Sequence, residues 1–163
     1  MNIFMLHMIP RTAAQYHCDK HVVKMIIESA QLLYTAHWVL SPSGVPEFAY
    51  KKCHVNHPSG IWVRESIENY EWLCELGIEL CVEFRYRYGK VHATQKHIEW
   101  LFRNPPFNIP AVLMTPLRLA MPDEYKCDDP VKAYRTFYIE SKHKQRGIVS
   151  YKKRDWPEFL NVK

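Results

Sequence analysis

The chain has 163 residues, 47% of them hydrophobic and 13% aromatic. That suffices for one domain with a real core, is too short for two, and excludes a disordered chain. The formal charge of +5 suits a polyanionic partner without requiring one, and no apolar run is long enough to cross a bilayer.

Residues 1–10 are apolar but lack the basic start and small-residue cleavage site of a secretory signal, so a cytoplasmic protein is expected, or one of the host-cell cytoplasm if the chain is viral. Pro10 suits the first turn of a helix. The spacing then predicts one long helix over residues 11–40. Cys18, Val22, Met25, Ile26, Leu32, Leu33 and Ala36 cover one side of it, and Val23, Ile27, Ala30 and Tyr34 cover much of the other. At about 100° per residue, His17, His21, Lys24, Glu28, Gln31 and Thr35 fall in one narrow line between these apolar faces. A helix apolar nearly all round is a buried helix. Imidazoles, an ammonium and a carboxylate on buried ground are costly unless they serve one another or a ligand. This stripe is the candidate active site, with Glu28 as base or electrostatic stabiliser. The plainer alternative is a solvated face with a Lys24–Glu28 surface pair.

Ser41, Pro42, Ser43, Gly44 and Pro46 end that helix in a loop. His54, Asn56 and His57 precede Pro58, where a short helix carrying Arg64 and Glu65 begins. They read either as a plain turn or as donors to a phosphate or base edge. Residues 67–88 form a second long helix, with Gly89 at its C′ position. A third helix spans 93–102. The prolines at 105, 106, 110, 116 and 122 then exclude regular helix over 104–122 and predict an ordered wrapping belt. Asp129 followed by Pro130 opens a last helix to about residue 144.

The tail crowds Lys142, Lys144, Arg146, Lys152, Lys153 and Arg154 among Tyr151, Trp156 and Phe159. Such a pattern can neutralise phosphates and stack on bases, or simply stay solvated. Five cysteines without CxxC pairing read as reduced, packed thiols. His17 and His21 at i,i+4 could share a metal, but no HExxH motif supports one, so neither metal nor cofactor is expected. No repeat and no convincing strand occurs. The expected fold is a single all-α domain, 1–163, of long packed helices sealed by the belt, with a basic and aromatic tail.

Three segments together resemble a known family, the pyrimidine-dimer DNA glycosylases of the phage endonuclease V type. Lys20, His21, Val22 and Val23 followed by Glu28 are similar to its buried helix. The turn of Asn56, His57 and Pro58 resembles one in bacterial members. Asn69, Tyr70, Glu71, Trp72 and Leu73, running to Arg85, Tyr86, Arg87, Tyr88 and Gly89, resemble its second long helix. The likeness covers roughly residues 1–89. It implies a DNA N-glycosylase in which the chain's own α-amine attacks C1′, expels the base and forms a Schiff base that permits strand cleavage. Glu28 would be the family's glutamate and Met1 would present the amine. The family's best-known member exposes a small residue after its methionine is removed. Asn2 is too large for ordinary removal, so the bulkier amine of Met1, the side chain of Lys24, or a water activated by Glu28 remain as nucleophiles. The extra histidines suggest a modified base as target. His17, His21, Gln31, Asn56, His57, Arg64, Lys152, Lys153, Arg154 and Trp156 are the candidate substrate-binding residues, and duplex DNA the candidate partner. No obligate protein partner is implied. The competing readings are a hydrolase of free nucleotides and a non-catalytic nucleotide- or modified-DNA-binding module.

Overall fold

Helix α4 (Ile67–Tyr88) is the hub of the molecule: α1 (Pro10–Tyr16), α2 (Asp19–Leu40), α3 (Pro58–Glu65) and α5 (Gln95–Arg103) all pack against it. The computed structural model describes the backbone of residues 2–144 and 150–161, and their side chains except those of 142–144. Among these residues there are six α-helices and no strand, so the protein is all-α in one core. Met1, and the side chains of Lys142, Lys144 and Arg146 from the basic tail, lie outside the described residues.

Local signals place most boundaries. Ser66 caps α4 by accepting the N–H groups of Glu68 and Asn69, and Gly89 ends it with a φ of 68°, a left-handed turn that disfavours other residues. His57 caps α3, with Pro58 in the first turn. Asp129 caps α6 (Pro130–Phe137) by accepting from Val131 and Lys132. The chain then continues through Tyr138–Lys144 in wider π-type turns, so the last helix is not the single α-helix to 144 that its sequence predicts. Gly77 lets α5 approach α4 closely, because a Cβ there would meet Ile98 Cδ1 at 2.9 Å.

The predicted helix over 11–40 is two helices. The chain is extended at His17 and Cys18, with ψ of 132° and 161°. The break follows from tertiary hydrogen bonds: Cys18 N–H donates to the Tyr138 hydroxyl and Asp19 N–H to the Ser150 carbonyl. Both donors would otherwise serve the helix ladder. α2 is also not buried all round. Lys20, Lys24 and Ile27 reach solvent, so the polar stripe has one open edge.

The belt does wrap. Ile67 N–H donates to the Pro110 carbonyl, Ser66 Oγ to Val112 O, Trp62 Nε1 to Thr115 O, and Asn69 Nδ2 to Thr115 Oγ1. Asn108 ties it to the end of α2 through Ser41 Oγ and the Leu40 carbonyl. These side-chain partners replace the hydrogen bonds that proline denies the belt's own backbone.

Candidate active site at Glu28

Glu28 lies mid-way along α2 with its residue surface 8% exposed. Its two carboxylate oxygens face different nitrogens. Oε2 accepts the peptide N–H of Asn2 at 2.9 Å, and Oε1 pairs with Lys24 Nζ at 3.0 Å. Lys24, 60% exposed along its side chain, forms the open edge. Burial of a carboxylate is tolerable when donors of this kind meet it.

Asn2 holds the chain start in place. Its Nδ2 donates to the Ala120 carbonyl at 2.9 Å, and its Oδ1 accepts from the Tyr134 hydroxyl at 2.8 Å and from Ile3 N–H at 2.8 Å. Tyr134 in turn accepts from Ala120 N–H. The belt, α6 and the N-terminal segment therefore converge on one carboxylate of α2. Asn2, Tyr134 and Ala120 are absent from the candidates read in the sequence. Each is 26 residues or more from Glu28 along the chain, and no periodicity links them.

The histidines behave differently from one another. His17 is outside α2, at the end of α1, and wholly buried. Its Nδ1 donates to the Ala13 carbonyl at 2.7 Å and its Nε2 has no partner. Burial lowers its pKa to about 4, so it is neutral at pH 7. The i,i+4 pairing with His21 on one helix is thus lost. His21 is buried two turns before Glu28, stacked on Phe4 at 4.7 Å between ring centres. The Tyr138 hydroxyl accepts Cys18 N–H, which leaves its proton for His21 Nδ1 at 2.7 Å. Both imidazoles are held in the packing that supports the N-terminal segment. Among the described residues no group of three His, Cys, Asp or Glu side chains is placed to hold a metal ion.

Farther along the stripe, Gln31 is half-buried, and Thr35 closes against the loop through Cys53, donating to its carbonyl at 2.9 Å. Asn56 is exposed. His57 is committed to capping, its Nδ1 accepting Ser59 N–H at 3.2 Å. Arg64 folds back toward Gly60, which itself packs on Leu32, one turn beyond Glu28. Its Nη1 is buried without a partner, and burial and the neighbouring Arg118 lower its pKa. Glu65 pairs directly with Arg118 and opposes the lowering at Arg64 from a greater distance.

The tail residues are brought together elsewhere. Arg154 is bidentate on Glu83, both contacts 2.9 Å, and lies over the Tyr86 ring. Glu83 also accepts from Arg87, which bonds Asp19; Asp19 receives Lys152 N–H and Ser150 Oγ. Despite burial, Arg154 and Arg87 hold Glu83 below the usual carboxylate range, and the Lys152 N–H, the Ser150 hydroxyl and Arg87 do the same for Asp19. Lys153 Nζ donates to the Tyr86 carbonyl, Lys152 Nζ lies over Tyr88, and Trp156 is 43% exposed beside Tyr151. This cluster sits at the start of α2, about 14 Å along the axis from Glu28. Arg154 is structural, whereas Lys152 and Lys153 keep exposed side chains.

Comparison with models of protein families, with characterised proteins and with solved structures finds no match to this chain.

Proposed function

We propose that this protein is a DNA N-glycosylase that excises a damaged or modified base, with a Schiff-base lyase step carried by an amine beside Glu28. The observation that carries the reading is the hydrogen bond from Asn2 N–H to Glu28 Oε2 at 2.9 Å. The α-amine of Met1 is separated from that nitrogen by three covalent bonds, so it lies no more than about 4 Å away. An α-amine keeps a useful neutral fraction near pH 7, its ordinary pKa being about 8. A largely buried carboxylate that accepts the Asn2 N–H supports both halves of the chemistry, stabilising cationic sugar and relaying protons.

In the first step the amine nitrogen bonds to C1′ as the C1′–base bond breaks, and the base leaves with a proton. Ring opening gives the protonated imine. Removal of a C2′ proton then expels the 3′ phosphate. In this reading Glu28 carries the proton transfers, including the one to O4′ on ring opening. Lys24, on the other carboxylate oxygen, is the alternative amine. Arg64, with its buried unpartnered Nη1, is the nearby group best suited to a backbone phosphate. The target nucleotide would have to leave the base stack to reach C1′, which favours damaged or mispaired bases.

End-labelled duplexes, ultraviolet-irradiated or carrying modified pyrimidines, test this with and without borohydride. A trapped protein–DNA adduct mapping to Met1 or Lys24 is expected. Abasic sites without an adduct would replace the amine by water activated at Glu28. No product on any substrate, with mononucleotides turned over instead, would move the reading to a free-nucleotide hydrolase.

A further inference from the structure

On the side of α2 away from Glu28, a groove opens where α2 and α5 both end. Nine residues separate Glu28 from His37 in α2, which turns the helix by about 180°. One lobe is a cavity of about 320 Å³ lined by His37, Gly44, Trp100, Arg103, Pro106 and Phe107. A second, of about 380 Å³, adjoins it and shares Trp100 and Arg103, with Phe48 and Lys96 at its far wall.

The groove is built rather than accidental. Phe107 is 82% exposed, yet its ring seats against Gly44, where a Cβ would meet Cε2 at 2.9 Å. The two hydrogen bonds from Asn108 hold the adjoining belt on α2. Trp100 is fixed from behind by stacking on Tyr34, ring centres 6.1 Å apart, and edge-on by Phe48. Its indole N–H donates to no group among the described residues.

Charge adds a second requirement. Arg103 and Lys96 are exposed and form no ion pair among the described residues; Glu99, which accepts from Gln95 at 2.7 Å, lines the same lobe, so the two cations still leave it positive. A fitting ligand is therefore a flat aromatic ring with an anionic group that reaches Arg103 and Lys96 at the rim.

We infer that this groove binds a nucleoside monophosphate, its base against Phe107 and Trp100 and its phosphate on Arg103 and Lys96. Aromatic stacking and guanidinium contact supply affinity without sequence-specific readout. The inference is independent of the Glu28 reading, because binding here involves no catalysis.

Calorimetric titration of the full chain with deoxyadenosine monophosphate, and separately with deoxyadenosine, tests it. Saturable one-site binding is expected, weaker for the nucleoside. Phe107→Ala should weaken both ligands about fivefold or more, and Arg103→Gln should remove the preference for the nucleotide. Both positions are exposed, so the fold is retained. Glu28→Gln should bind as the wild type does. The inference is overturned by no saturation up to about 10 mM, by Phe107→Ala binding normally, or by loss of binding in Glu28→Gln, which would place the nucleotide at Glu28. Concentration-dependent self-association abolished by Phe107→Ala would also overturn it, since a second copy would then cover the groove.

Discussion

Asn2 and Glu28 meet through one hydrogen bond, peptide N–H to carboxylate Oε2 at 2.9 Å, and that contact joins the start of the chain to the middle of α2. Because Asn2 is also bonded to the belt at Ala120 and to Tyr134 of α6, four segments depend on the geometry around this carboxylate.

Glu28→Gln retains an acceptor for Asn2 N–H, so the fold should survive with a stability change within about 1 kcal/mol. Borohydride trapping on damaged DNA should fall by at least about a hundredfold, as expected for loss of a general acid–base group. Circular dichroism and trapping on the same preparation check both halves. An adduct formed at the wild-type rate would remove Glu28 from the chemistry.

Asn2→Ala removes the side-chain contacts to Ala120 and Tyr134 but keeps the peptide N–H on Glu28. Leaving the part-buried Tyr134 hydroxyl with one fewer partner should destabilise by about 1–3 kcal/mol. If Asn2 orients the terminal amine, trapping should slow more than the stability loss explains, and Tyr134→Phe should slow it in the same direction. Chemical denaturation paired with single-turnover trapping separates the two effects.

Arg87 sits at the centre of a buried network, bonded to Glu83, Asp19 and the Gln15 carbonyl. Arg87→Met would leave the buried Asp19 without its cation and Glu83 with Arg154 alone, at a cost of about 3 kcal/mol. Exposed Lys152 and Lys153 should behave differently: replacing both with Gln should leave the melting temperature nearly unchanged, lower the salt dependence of DNA binding and weaken it uniformly across sequences. Binding isotherms at several salt concentrations report this, and an unchanged slope would take the tail out of the DNA interface.

His17 gives a stability change with acid. Its folded pKa is lowered to about 4 from 6.5, so the unfolded chain takes up a proton that the folded protein refuses. Stability is then full above pH 6.5 and is lost as pH falls from 6.5 towards 4, by about 3 kcal/mol from this group. Asp19 and Glu83, held low, have the ordinary carboxylate dependence: their contribution is present above the unfolded pKa and is lost as pH falls further through the folded value. Melting curves from pH 7 to pH 4 should fall for the wild type and fall less for His17→Asn. Parallel curves would show that another group carries the acid response.

Gly77→Ala places a methyl 2.9 Å from Ile98 Cδ1 in the α4–α5 contact. Overpacking there should destabilise by about 1–3 kcal/mol, although alanine is the better helix former. Thermal unfolding checks the sign, and a rise in melting temperature would mean that Ile98 moves freely.

Much of the helical scaffold was legible because its signals are local. The Gly89 terminus, the Asp129 cap and the apolar spacing of residues 67–88 each act within a few residues, and the observed α4 has the predicted bounds. The prolines likewise announced a belt, since proline forbids helix whatever lies around it. The break at His17 and Cys18 was not legible. The stripe there had perfect helical spacing, but Tyr138 and Ser150, far along the chain, take the N–H groups of Cys18 and Asp19. The candidate site divides the same way. Periodicity marks Glu28 and Lys24 as neighbours, whereas it says nothing of Asn2, Tyr134 or Ala120.

By itself, then, the sequence determined which segments are helical, where most of them start and stop, and that a carboxylate sits in the apolar length of α2. Those outcomes depend on dihedral preference, capping and the 3.6-residue period, all read over one or two turns. Only the tertiary structure decided which groups meet that carboxylate, that His17 lies outside α2, and that Arg154 belongs to a buried ion network. Hydrogen bonds and ion pairs between residues far apart in the chain form only after the helices pack, and their energies outweigh local preference where the two conflict.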